Sequence, residues 1–115
     1  MHGEGDYHYA DGRKYQGFFK NGKKEGHGTF TWPSGDQYEG QYLNGKMHGE
    51  GFLHYANGSI YQGFFKDDDR EGHGIFLYSD GSKYEGQWLN NRKHGKGLYT
   101  YPDGQTRKME NGISQ

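Results

Sequence analysis

The stretch YQGFFKNGKKEGHGTFTWPSGDQ, residues 15–37, decides the fold, because nearly every part of it has a counterpart 23 residues later. Tyr15 returns as Tyr38, Tyr61 and Tyr84. Each Tyr is followed two residues on by a glycine (Gly17, Gly40, Gly63, Gly86) and two further on by an aromatic (Phe19, Tyr42, Phe65, Trp88). A G-x-G pair recurs at Gly26/Gly28, Gly49/Gly51, Gly72/Gly74 and Gly95/Gly97, and each copy closes with an aromatic (Trp32, Tyr55, Tyr78, Tyr101) and a turn glycine (Gly35, Gly58, Gly81, Gly104). A fixed period in this range marks a repeat array, in which each unit buries its faces against its neighbours. Full copies occupy 15–37, 38–60, 61–83 and 84–106, after a leading half copy over 1–14; residues 107–115 read as a C-terminal tail.

Inside one copy the period falls to two. Tyr15, Gly17 and Phe19 alternate with Gln16, Phe18 and Lys20, the signature of a strand. Asn21 to Glu25 reads as a polar turn, and Gly26, Gly28, Phe30 and Trp32 alternate with His27, Thr29 and Thr31 as a second strand on the same facing. The next turns carry Asn or Asp before Gly (Asn57-Gly58, Asp80-Gly81, Asp103-Gly104), which suits positive φ at the glycine. No segment has a helical period. The expected fold is all-β, an elongated single-layer antiparallel sheet of stacked hairpins, with nine strands at ~4.8 Å giving a slab of about 40 Å. Glycine opposite a large ring leaves that ring room to lie against backbone, so the Tyr stripe reads as core.

Composition agrees with that packing. Only 29% of the 115 residues are apolar, which alone would suggest disorder, but net charge is −1 and the chain carries eleven Tyr, seven Phe and two Trp. Each such ring buries roughly 150–250 Å². The 22 glycines are periodic, not clustered. With no cysteine there is no disulfide, thiolate zinc site or cysteine nucleophile. No apolar stretch reaches a membrane span, and near-zero net charge gives no general attraction to nucleic acid. The chain reads as soluble and cytoplasmic.

The pattern Y-x-G-x-[FYW]-x-x-[GDN]-x-x-x-G-x-G, present in register over residues 3–106, resembles the MORN (membrane occupation and recognition nexus) repeat. Asp68 and Asn91 depart from it where Gly22 and Gly45 stand, and Arg107 stands where a fifth Tyr would be. The resemblance implies a twisted sheet of hairpins. It also implies an adaptor or scaffold, since MORN arrays occur in junctional membrane proteins, phosphoinositide kinases, a lysine methyltransferase, axonemal proteins and protozoan cytoskeletal scaffolds. A cytoskeletal or ciliary setting is an expectation of the same origin.

A second period of 46 overlies the first: Gly17-Phe18-Phe19-Lys20 returns as Gly63-Phe64-Phe65-Lys66, and Gly40-Gln41-Tyr42-Leu43 as Gly86-Gln87-Trp88-Leu89. Duplication of a two-repeat unit explains it. Its consequence is that Phe18, Leu43, Phe64 and Leu89, joined by Phe52, Ile75, Leu77 and Leu98, fall opposite the Tyr stripe. An apolar patch there marks an interaction site; the competing reading is that twist lets these residues cover one another. Phe18, Leu43, Phe64, Leu89, Phe52, Ile75 and Leu98 are the candidate partner-binding residues.

Other chemistry is weaker. His27 and His73 share a repeat position, as do His48 and His94, and each pair is separated by four strand spacings, roughly 19 Å, too far for one metal. Asp67–Asp69 lacks the spacing of a calcium loop. No nucleophile–base pair recurs, so no enzyme, metal or cofactor is expected. Lys23, Lys24, Lys46, Arg70, Arg92 and Lys93 cluster near the hairpin turns and form an alternative site for phosphoinositide or other anionic lipid, interrupted by Glu25, Glu71 and Asp67–Asp69. Nucleic acid ranks last, because the aromatics belong to a packing face. The expectation is a non-enzymatic scaffold for a protein partner, with self-association through exposed sheet edges, as a homodimer or end to end, as a further alternative.

Overall fold

The computed structural model describes residues 3–114. Eleven strands, hydrogen-bonded in chain order, form one antiparallel sheet. They are β1 (Gly3–His8), β2 (Lys14–Lys20), β3 (Lys23–Thr31), β4 (Gln37–Leu43), β5 (Lys46–His54), β6 (Ile60–Lys66), β7 (Asp69–Leu77), β8 (Lys83–Leu89), β9 (Arg92–Thr100), β10 (Thr106–Glu110) and β11 (Ile113–Ser114). The described residues contain no helix. The dimensions are 49 × 24 × 18 Å. The long one matches a stack of strands at ~4.8 Å. Nine strands and a shorter slab are expected from the sequence; the difference is β10 and β11, formed by residues that read as a tail.

Two kinds of turn alternate. At one end of the strands the hairpins close through two residues, Asn21-Gly22, Asn44-Gly45, Asp67-Asp68, Asn90-Asn91 and Asn111-Gly112, all with positive φ. That is the type I′ turn, whose twist matches the flanking strands. It is tighter than the sequence suggests, so Lys23, Lys24 and Glu25 belong to β3. Asp68 and Asn91, where a glycine is easiest, sit at φ 73 and 68. Their side chains compensate: Asp68 Oδ1 accepts from the Met47 N–H at 2.9 Å, and Asn91 Oδ1 from the Arg70 N–H at 2.8 Å. The backbone N–H groups of Gly45, Asp68 and Asn91 donate to the carbonyls of Lys24, Met47 and Arg70, so each turn is tied to the hairpin before it. At the other end, three-residue loops close as in Tyr55–Ser59, where the Gly58 N–H donates to the Tyr55 carbonyl and the Tyr55 N–H to Ser59.

The core is one face of this sheet. Tyr38, Tyr61 and Tyr84 are 0% exposed and Tyr15 is 1%. Each ring lies over two cross-strand glycines, Gly17 and Gly28 under Tyr15, Gly40 and Gly51 under Tyr38, and so on. Register joins these pairs into a glycine row crossing the sheet from Gly5 to Gly97, where Met109 ends it. The phenol hydroxyls donate to the carbonyls of Phe18, Gln41, Phe64 and Gln87 at 2.9, 2.8, 3.0 and 3.4 Å. Edge-to-face contacts then link ring to ring: Tyr15 to Phe19 and Tyr42, Tyr38 to Tyr42 and Phe65, Tyr61 to Phe65 and Trp88, with centroids 5.1–5.3 Å apart. Such a pair contributes about 0.5–1.5 kcal/mol beyond its burial.

One expectation fails within the repeat. Gly26, Gly49, Gly72 and Gly95 do not serve the rings. The register shifts between Gly17 and Phe19, so that Phe19 faces Lys24. Gly26 takes φ 70, and a Cβ there would meet Phe18, not a ring. These glycines are required by a bulge, which raises twist and re-aims the residues before it.

The two roles predict different mutational behaviour. A Cβ at Gly40 would lie 2.6 Å from both Gly51 Cα and Tyr38 Oη, so Gly40→Ala is expected to lose about 3 kcal/mol by overpacking. Gln62→Ala, exposed, should stay within about 0.5 kcal/mol. Denaturant midpoints of the two variants decide it. High pH offers a second test. Burial pushes the Tyr15 and Tyr61 phenols up to about 12, and those of Tyr38 and Tyr42 further, from an ordinary value of 10. A raised folded-state value means that the unfolded chain ionises first, so stability is full below pH 10 and falls as pH rises through about 12. Phenolate absorbance and the β signal in circular dichroism should change together in that window.

Candidate interaction surfaces

Among the described residues no second layer lies over the other face. Phe18, Leu43, Phe52, Phe64, Leu89 and Leu98 lie there, each 38–46% exposed, and Ile75 is half-buried. Register arranges them. On one side of the glycine row run Gln16, Thr29, Glu39, Phe52, Gln62, Ile75, Glu85, Leu98 and Lys108. On the other run Phe18, His27, Gln41, Glu50, Phe64, His73, Gln87, Lys96 and Glu110. The apolar residues therefore alternate with polar ones and do not form a single continuous patch. Phe18 and Phe64 lie four strands apart, roughly 19 Å. Leu43 and Leu89 sit nearer the type I′ turns, paired with Lys46 and Arg92.

Between the two rows the glycine backbone is the floor of a shallow groove. At its centre Phe52, Phe64 and Ile75 with Glu50, Gln62 and His73 surround Gly51 and Gly63 in a depression of about 200 Å³, and at its far end a larger one of about 640 Å³ is lined by Glu85, Lys96, Gly97, Leu98 and Lys108. A depression adjoining the central one is lined by His27, Glu39, Gln41, Glu50 and Phe52. His73 Nε2 stands 3.4 Å from Glu85 Oε2 at the rim. The wall is thus apolar and acidic, with carboxylates of Glu39, Glu50 and Glu85 among exposed rings.

The basic residues do not form one stripe. The bulge turns Lys24, Arg70 and Lys93 onto the aromatic face. Lys24 Nζ lies 5.1–6.0 Å from the ring centres of Tyr9, Tyr15, Phe30 and Tyr42. The Arg70 guanidinium is 4.6 Å from Trp88, 5.7 Å from Tyr61 and 6.0 Å from Phe76, and Lys93 Nζ is 5.4 Å from Tyr78 and 5.0 Å from Tyr84. These are cation–π contacts. Lys23, Lys46 and Arg92 remain exposed on the opposite face, where Lys23 pairs with Lys20. The sequence signal for this division was present in the 23-residue step itself: positions 24, 47, 70 and 93 read Lys, Met, Arg, Lys. Among the described residues no group of three or more His, Asp or Glu converges in a way that could hold a metal ion. His48 lies within β5.

The hairpin unit, its glycine-seated tyrosine and its 23-residue step together match the family model of the MORN repeat over residues 1–12, 15–37, 38–60, 61–83 and 84–106. The chain belongs to the MORN-repeat family. MORN repeats are interaction modules for proteins and lipids, not catalytic units. Among solved structures, the TCP domain of SAS-4 (dCPAP) of Drosophila melanogaster, in complex with a proline-rich motif of Ana2 (dSTIL), is similar over 98% of this chain and 82% of that one. The identity is 14% and the TM-score 0.31, a likeness too remote to bear on what this MORN array binds. No helix among the described residues is long and apolar enough to cross a membrane.

Cations over rings and cations in solvent should differ in stability. Arg70→Ala removes the ring contacts and a 2.8 Å hydrogen bond to the Asn91 carbonyl, and should lose about 1–2 kcal/mol. Arg92→Ala should stay within about 0.5 kcal/mol. Equal shifts in urea midpoint would contradict the division.

Proposed function

We propose that this MORN array is a non-enzymatic interaction scaffold, and that its open face receives a partner polypeptide in the glycine-floored groove. The observation that carries this reading is the single layer. The aromatic face completes its own core, while the opposite face leaves Phe52, Phe64 and their neighbours 38–46% exposed with no counterpart layer among the described residues. Partner binding draws most of its energy from a few apolar anchors, each worth about 2 kcal/mol or more on truncation. The carboxylates of Glu39, Glu50 and Glu85 beside those anchors favour a partner segment that is basic as well as apolar. A cytoskeletal or ciliary setting rests only on where other MORN arrays work.

A second reading has one observation of its own. Lys20, Lys23, Lys46, Lys66 and Arg92 lie along the type I′ turn side of the same face, broken by Asp69 opposite Lys66. Such a strip favours anionic lipid, but the acidic rows beside it oppose a flat anionic surface. The deciding variant is Phe52→Ser with Phe64→Ser. Circular dichroism should keep its β signal, since the tyrosine face holds the fold, and capture of protein from a cell extract should drop at least tenfold relative to the parent chain. An unfolded variant would make this face core. Undiminished capture would move the site to the sheet edges or the aromatic face, and self-association would then appear in sedimentation. Salt-sensitive pelleting with phosphoinositide vesicles, abolished by Lys23→Glu with Lys46→Glu and Arg92→Glu, would put lipid first.

A further inference from the structure

The repeats also differ in how they treat their rings. In the first, third and fourth, the residue re-aimed by the bulge is a cation lying over aromatic rings: Lys24, Arg70 and Lys93. In the second it is Met47. The same repeat carries Leu53 where its sisters have Phe30, Phe76 and Tyr99. Two substitutions at one place thus remove a charge and shrink a ring. There the aromatic face opens into a pocket of about 370 Å³, whose walls include Trp32, Met47, Leu53, Tyr55 and Phe65.

The rim of this pocket is charged. Asp36 and Asp68 both line it. Each uses one oxygen on a backbone N–H, Asp36 Oδ1 accepting from Ala56 at 2.8 Å and Asp68 Oδ1 from Met47 at 2.9 Å. Arg70 forms a further wall, but its guanidinium is engaged by the Asn91 carbonyl at 2.8 Å and by the Trp88 ring of the next repeat. Two carboxylates against one arginine leave the rim net negative. The carboxylates are felt at the rings. Burial is the main reason that the Tyr38, Tyr42 and Tyr55 phenols are raised; the Asp68 charge adds to it at Tyr38 and Tyr42, while at Tyr55 the Arg70 charge works against it more strongly than the Asp36 charge adds to it.

We propose that the pocket between Trp32, Tyr55 and Phe65 is a binding site for an alkylammonium group, supplied in trans at the one repeat that lacks its own cation. Ring faces attract a cation through their quadrupoles, and ammonium ligands are held by aromatic cages of this kind. In the first repeat the counterparts of Trp32 and Phe65, which are Tyr9 and Tyr42, hold Lys24 Nζ at 6.0 and 5.6 Å, so two of the three rings have a tethered cation as their precedent and Tyr55 is the ring added here. The head group is that of lysine or methylated lysine on a partner chain, or of a small free quaternary ammonium. The site lies on the face opposite the groove, so either assignment can fail without the other.

Tetramethylammonium chloride is the first probe, read by the Trp32 indole N–H and the Met47 methyl in NMR spectra of the full chain. Saturable shifts at both, with Kd on the order of 10 mM for a bare head group, are expected. Sodium chloride at equal ionic strength and neopentyl alcohol, a neutral branched analogue of similar bulk, should give none. Met47→Lys places in the second repeat the residue that Lys24 and Lys93 already are in theirs, and should abolish the shifts with the spectrum otherwise folded. Asp36→Asn with Asp68→Asn keeps both backbone acceptors and should weaken binding about tenfold. Acetylated amides of lysine and trimethyllysine then distinguish the sources: tighter binding than tetramethylammonium assigns a protein side chain, weaker binding a free ammonium. The proposal is overturned by absent saturation, by equal shifts from neopentyl alcohol, or by undiminished binding to Met47→Lys or to the aspartate double variant.

Discussion

A tyrosine ring laid flat over two facing glycines, with its hydroxyl bonded to a carbonyl three residues on, is the contact on which everything else rests. It solves a problem peculiar to a single-layer sheet, which has no second layer to bury its apolar side. The ring lies along the sheet instead of standing away from it, and removing the side chains beneath it makes room. Tyr15, Tyr38 and Tyr61 are each flanked by a ring of the next repeat, and Tyr84 by Trp88 of its own, so the cover is made in the plane of the stack. An interior glycine ordinarily weakens a strand. Here the backbone freedom it surrenders is offset by the burial of a whole phenol.

The bulge makes the two faces unequal. By inserting residues between Gly28 and Lys24 it returns the second strand to the turn with its side chains re-aimed, and puts a cation over rings that would otherwise meet water. The outer face receives the remaining charge. One hairpin thus yields a ring side, internally compensated except where Met47 stands, and an open side on which acidic, basic and apolar residues follow the strand order. The proposed binding chemistry lies in what varies among repeats: the alternation of Phe and Gln or Lys and Leu on the open side, and the exchange of Lys or Arg for Met on the ring side.

Much of this was legible in the sequence because the repeat supplies its own comparison. Residues that keep a 23-residue step, such as Tyr15 and Gly17, must serve what every hairpin needs, and alternation of two fixed the face of Phe18 and Phe64. The bulge escaped that reasoning. Simple alternation carries Gly26 onto the ring face and leaves Lys24 in a turn, whereas the positive φ of Gly26 and the two-residue Asn21-Gly22 turn shift both. Alternation says which side a residue takes only while the pleat is unbroken. The end of the chain misled for a related reason. Arg107 and Met109 break the Tyr and Gly pattern, yet backbone pairing with β9 asks nothing of those side chains.

Strands joined only to their chain neighbours leave the backbone hydrogen bonds pointing along the 49 Å axis. Tension applied along that axis therefore pulls those bonds lengthwise, and because the strands stand in series every ladder carries the same load and the weakest opens first, a few bonds at a time. A sheet sheared along its strands must break a whole ladder at once. This one yields in steps of one hairpin, each released as its turn lets go of the hairpin before it, and it recovers the same way. The ring contacts between neighbouring hairpins lie along the same axis, so rings and ladders share that load.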